Sequence, residues 1–221
     1  RRDFPAVAVI VTTSSTLTIY DGDDPTLPMW MVFTSQASPS YGMYFGAGGQ
    51  GLYALNGIIG TCGGYPRFFS FVQDFAWLYD TSSKYSFANQ SLLYRNAYSS
   101  AGATPTISSG GVLNNTCYDL AMTVLPGAPL DPATGLPIPT IAIGSIGGTT
   151  IIHNTGLIVT VTHAWNLTWF LKFSPDNQLV LHIGNASGQG LICKMPIPYI
   201  STSISSGGAF LLGGGNIYSA T

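Results

Sequence analysis

The chain has 221 residues, 46% of them hydrophobic and only 7% charged, with a formal net charge of −2. An average soluble domain carries about a quarter charged residues, so polar surface here must come from Ser, Thr, Asn and Gln, and without a general basic surface nucleic acid and anionic membrane are poor partners. There is no glutamate, and Lys84, Lys172 and Lys194 are the only lysines, so the usual covering of solvent-facing helices is missing and the composition argues for strands and turns.

Arg1 and Arg2 followed by FPAVAVIVTT have the charges and short apolar run of a secretory leader, but the β-branched residues and the Thr-rich alternation behind them predict a strand over Ala6–Thr13. Ser15–Asp21 and Met29–Ser35 follow as strands. Between them Asp21, Gly22, Asp23 and Asp24 bring three carboxylates close together, a set that a hard cation such as Ca²⁺ could use. The alternate spacing and terminal glutamate of an EF-hand loop are missing, so a solvated turn is the plainer reading, with Asp21, Asp23 and Asp24 as cation candidates. Further strands are predicted at Tyr41–Ala47, Gly51–Gly63 and Phe68–Asp80, and a polar passage then precedes Asp119–Leu125.

Prolines 126, 129, 132, 137 and 139 lock φ and remove five amide donors, so residues 126–139 cannot be a central strand. They read as a stiff connector from one repeat to the next, with a turn at Asp131–Gly135; a docking strap is the alternative. Thr140–His163 is punctuated at Gly147-Gly148 and at Asn154-Thr155-Gly156, giving three short strands in a meander. Thr168–Phe173 and Leu179–Gly184 are joined by Ser174-Pro175-Asp176-Asn177, where proline suits the second position of a type I turn and Asn tolerates the left-handed residue after it.

No apolar run reaches the roughly 18 residues of a spanning helix. Cys62, Cys117 and Cys193 are far apart, form no CxxC pair, and have no histidine closer in sequence than His182, so zinc binding is not expected. Three buried free thiols are the favoured reading, with one disulfide of undetermined pairing as the alternative. His153, His163 and His182 fall on separate strands or turns, no GxSxG elbow is present, and no pair of aspartates stands out for glycoside cleavage. The triple glycine of GAFLLGGGNIYSA lacks the helix that a phosphate loop needs. Trp30, Tyr44, Trp77, Trp165 and Trp169 are candidates for a glycan-stacking platform or a subunit interface. Sequons at Asn89, Asn114, Asn166 and Asn185 are expected by chance in a chain this rich in Asn, Ser and Thr. No cofactor is implied.

Short strands at this spacing predict an all-β protein, with antiparallel meanders of β-propeller type or, alternatively, a β-sandwich. Gly51–Asp80 and Thr140–Gly184 share a loose rhythm of strand, glycine turn, strand and hairpin, like a repeat of about 40 to 50 residues.

The stretch Tyr118–Thr162, in which DPATGLPIPTIA leads into a glycine-punctuated meander, resembles a segment of large virion proteins of tailed bacteriophages, especially marine ones. LPMWMVF, GLYALNG and FSPDN stand in compatible order, so the resemblance runs from about Leu27 to Gly184. His153, Asn154 and Thr155 stand where those proteins have a charged turn, which keeps the turn and removes its charge. The resemblance implies a non-enzymatic virion component, a tail nozzle or tail fibre subunit, associated with copies of itself and with other tail proteins. A secreted or virion-borne carbohydrate-binding domain that recognises host surface glycan is the alternative, with an extracellular location, and a glycan-degrading tail spike is a third. Residues 1–221 form one propeller-like region in this reading. At about 43 residues per blade they would make about five blades. The rhythm is clear in only two regions, so an unclosed array is expected, and with it a chain that belongs to a longer polypeptide or depends on neighbours.

Overall fold

The computed structural model describes residues 5–35, 51–87, 91–96, 106–185 and 189–204. The expected strand Tyr41–Ala47, the GAFLLGGGNIYSA stretch, Tyr44 and Asn89 lie outside them. Among the described residues the protein is all-β, with seventeen strands and a single 3₁₀ turn at Leu92–Tyr94.

Four sheets follow one another along the chain. The first is the meander β1 (Ala8–Thr12), β2 (Thr16–Asp21) and β3 (Met29–Thr34). The second is a six-stranded meander of β4 (Leu52–Leu55), β5 (Ile58–Thr61), β6 (Arg67–Ser70), β7 (Phe75–Tyr79), β8 (Ser83–Ser86) and β9 (Thr106–Ser109). β10 (Cys117–Thr123), β11 (Thr140–Ser145), β12 (Gly148–Ile152) and β13 (Ile158–His163) make the third. The fourth is β14 (Leu167–Phe173), β15 (Gln178–Gly184) and β16 (Gly190–Pro196), after which β17 (Thr202–Ile204) returns to pair parallel with β13.

Successive sheets pack face to face, and the alternation of side chains along each strand explains how the central ones serve two cores at once. Leu17, Ile19 and Phe33 of the first sheet meet Ile59, Phe69, Ala76 and Leu78 of the second. From the opposite face of the same strands Phe68, Trp77 and Tyr79 meet Leu120, Met122, Ile141, Ile143 and Ile152 of the third. The remaining face of the third sheet, Ala121, Ala142, Ile151, Val159 and Val161, packs on Leu171, Leu179, Leu181, Ile183 and Cys193 of the fourth. Each buried Leu, Ile or Phe contributes about 1.5–3 kcal/mol, so three such cores hold the stack with no α-helix among the described residues.

Turn chemistry fixes the hairpins. Asn56 (φ 51°) and Gly57 (φ 72°) both take the left-handed conformation of a type I′ turn, which divides the predicted strand Gly51–Gly63 into β4 and β5. The stretch Phe68–Asp80 likewise divides into β6 and β7 around Phe71–Asp74. Asn177 (φ 56°) closes the reversal from Ser174, its amide donating to the Ser174 carbonyl at 2.9 Å.

Three expectations need correction. Cys62 and Cys117 form a disulfide between the second and third sheets, with Cα atoms 5.4 Å apart, so only Cys193 is a free, buried thiol. The Pro-rich segment does not link one repeat to the next, because it joins β10 and β11, neighbours in one sheet. Finally, Gly51–Asp80 lies within one sheet whereas Thr140–Gly184 is shared by two, so the two regions with similar rhythm are not equivalent units.

Candidate functional site

Asp131 folds the Pro-rich segment on itself: its Oδ1 accepts the amides of Ala133 (3.0 Å) and Thr134 (2.9 Å), and Leu130 bridges Pro137. The resulting hairpin is tied to the second sheet by Gln73 Nε2 donating to Asp131 Oδ2 (2.5 Å) and Asn56 Nδ2 donating to the Pro137 carbonyl (2.9 Å). A cleft of about 240 Å³ opens between them. Phe75, Trp77 and Tyr79 form its aromatic side, Ile141 and Ile152 its apolar base, and Gln73, Asn154 and Asp131 add polar groups.

Lys84 is the cation of this cleft. Its Nζ lies 5.4 Å from the Trp77 ring centroid and 5.9 Å from that of Tyr79, and it has no hydrogen-bond or ion-pair partner among the described residues. Burial lowers its pKa, because the charged form loses hydration that the ring faces only partly replace. Burial also pushes the Tyr79 phenol up to about 12, against a smaller opposing effect of Trp77. The cleft therefore offers aromatic surface, amide groups and one under-hydrated cation, a set suited to binding a polar ligand. Asp131 is its only acid among the described residues.

The described aromatic candidates are not brought together. Trp30 sits edge-on to Phe71 (5.8 Å) between the first and second sheets. Trp77 is buried in the next core, stacked on Phe68 at 5.3 Å, and reaches the cleft. Trp165 is half-buried in the β13–β14 turn, and Trp169 is 40% exposed beside the Tyr118 ring, 4.7 Å away. The carboxylates of the acidic turn are spent on backbone amides, its own and those that lead into β1. Asp23 Oδ2 accepts the amide of Ala6 (2.7 Å), Asp21 Oδ1 that of Asp23 (3.1 Å) and Asp24 Oδ1 that of Thr26 (2.9 Å). No group of three metal-ligating side chains occurs among the described residues.

The arrangement nearest to a catalytic one is a buried chain in which His163 Nε2 lies 3.2 Å from Thr168 Oγ1, itself 3.0 Å from Thr149 Oγ1. Both threonines are fully buried, so no substrate reaches them, and burial lowers the His163 pKa. No histidine is hydrogen-bonded to a carboxylate among the described residues.

The stack ends in two partly uncovered faces. Val9, Val11 and Met29 on the outer side of the first sheet are 40%, 44% and 59% exposed, and Phe170 and Ile192 on the outer side of the fourth are 51% and 40% exposed. Composition signalled such a surface; Lys84, Gln73 and Asn56 carried no signal, because their meeting with Asp131 depends on the folded hairpin.

No protein-family model matches the chain, and no curated protein matches it.

Proposed function

We propose that the protein is a non-catalytic structural subunit that works by association, a virion tail component of nozzle or fibre type as the resemblance over about Leu27–Gly184 implies. The observation that carries this reading is the pair of half-exposed apolar faces at the two ends of the stack. Large apolar side chains left exposed together on a sheet face are characteristic of interfaces. A two-sheet sandwich has one core, so the run of four sheets with three cores in chain order supports the propeller-type reading of the fold. Sedimentation velocity over a concentration series tests association: growth of larger species with concentration is expected, and a monomer throughout would overturn it.

The cleft lined by Trp77, Tyr79 and Lys84 favours a second reading, recognition of host surface glycan. On immobilised neutral and anionic bacterial polysaccharides, retention of the wild type and its loss in Lys84→Ala would support this second role. Release of shortened chains would instead indicate a degrading spike, and neither result leaves the structural role alone.

A further inference from the structure

Resting on the glycan-recognition reading, we infer that the cleft between the second sheet and the Pro-rich hairpin takes one acidic sugar ring, a hexuronic acid residue whose carboxylate is held by Lys84 and Tyr79. The two are register partners across β7 and β8, so their side chains leave the sheet next to each other on one face. Both line the cleft, and Lys84 Nζ lies 5.9 Å from the Tyr79 ring centroid.

Unused donors select an anion. Neither the Lys84 ammonium nor the Tyr79 hydroxyl has a hydrogen-bond acceptor among the described residues, and neither is sealed from solvent. The ammonium carries three donors and no acceptor, and the phenol, its pKa pushed up to about 12 by burial, keeps its proton at neutral pH. Such a pair fits a carboxylate oxygen. The cleft's one acid is already satisfied: Asp131 accepts the amides of Ala133 and Thr134 on Oδ1 and the side-chain amide of Gln73 on Oδ2, and it forms no ion pair with Lys84. Phosphate fits less well, because the described lining holds no arginine to grip it bidentately and no second cation for its second charge.

Size and lining identify the rest of the ligand. At about 240 Å³ the cleft is smaller than the roughly 300–1,000 Å³ of sites for drug-sized molecules, which leaves room for one ring and not for a chain of them. Half-buried Phe75 offers apolar surface to ring C–H groups, and the Asn154 amide and the side-chain carbonyl of Gln73 can bond to hydroxyls. An acidic peptide is disfavoured, since β5, β6, β7 and β8 are each paired on both edges and leave no edge on which a peptide strand could add.

Frontal affinity chromatography on immobilised polygalacturonate, alginate and hyaluronate, each beside its carboxyl-reduced form, changes only the group in question. The wild type should bind at least one acidic polymer tenfold or more tighter in Kd than its reduced form, with free uronic acid competing. Lys84→Met, which keeps the stem, and Tyr79→Phe, which keeps the ring, should each lose this preference, whereas Lys172→Met on the fourth sheet should retain it. The comparison of polymers needs no variant, so it decides the matter even where a substitution disturbs folding. Equal binding of acidic and reduced polymers, tighter binding of dextran sulfate, competition by poly-aspartate as strong as that by the sugar, or an equal loss in Lys172→Met would each overturn the inference. Binding to neutral polymers alone would overturn it and leave glycan recognition standing; binding to no polymer would remove both.

Discussion

Two aspartates show how environment sets the sign of a pH effect. Asp119 lies between the third and fourth sheets, its Oδ2 accepting the Leu171 amide and its Oδ1 the Leu120 amide, both at 2.9 Å. Burial raises its pKa despite these bonds, so the folded state holds the proton more tightly than the unfolded chain. Its stabilising contribution is thus present below the unfolded pKa and declines as pH rises through the folded value. Denaturant melts of wild type and Asp119→Asn should show the wild type losing ground to the variant between pH 3 and pH 7, whereas Asp119→Ala, which strands the Leu171 amide, should cost about 1–3 kcal/mol. Asp80 is the opposite case. Burial alone would raise its pKa, but the amides of Ser82 and Ser83 and the hydroxyls of Tyr85 and Ser82 together hold it down. Its contribution is present above the unfolded pKa and fades as pH falls, so Asp80→Asn should flatten the acid limb of the melting curve. At Lys84, exchange for Met keeps the stem over Trp77 and Tyr79 and removes the under-hydrated charge. The melting temperature should stay the same or rise, while Lys84→Ala should lower it through lost packing.

At the scale of elements, the strands legible in the sequence were those with apolar side chains at period two and Gly, Asn or Pro at their ends. The division of Thr140–His163 into β11, β12 and β13 follows its glycine punctuation, and the Ser174–Asn177 reversal follows its proline and asparagine. β8 and β9, Ser83–Ser86 and Thr106–Ser109, lack that signal because every residue of β9 is exposed and none of β8 is fully buried. Their order comes from pairing with a neighbour, which local sequence does not encode. The Pro-rich hairpin was readable as a non-strand, but its docking on Gln73 and Asn56 was not, since both partners are about 60 to 80 residues away. Gly57→Ala tests the best turn signal: an added Cβ would strain φ and collide with Val72, and a loss of at least about 1 kcal/mol is expected in a melt. Replacing Cys62 and Cys117 by Ala together should cost about 2–4 kcal/mol in chemical denaturation, because the cross-link spans 55 positions of chain.

For the whole molecule, low charge and scattered strands predicted all-β structure, yet the assignment of strands to sheets depends on which face each strand buries. Phe68 and Phe69 are adjacent in sequence and serve different cores. Hydrophobic alternation cannot reveal this where both faces are apolar, and for the same reason the two regions of similar rhythm fold differently. Phe68→Ala and Phe69→Ala should each cost about 3–5 kcal/mol, since both rings are fully buried. The central proposal is that the protein functions by joining further copies through the apolar side chains exposed on its first and fourth sheets. Electron cryomicroscopy of the associated protein tests it most directly. The proposal predicts assemblies in which the outer face of β1–β3 or of β14–β16 is covered by another copy. Separate single copies, or assemblies that leave both faces in solvent, would contradict it.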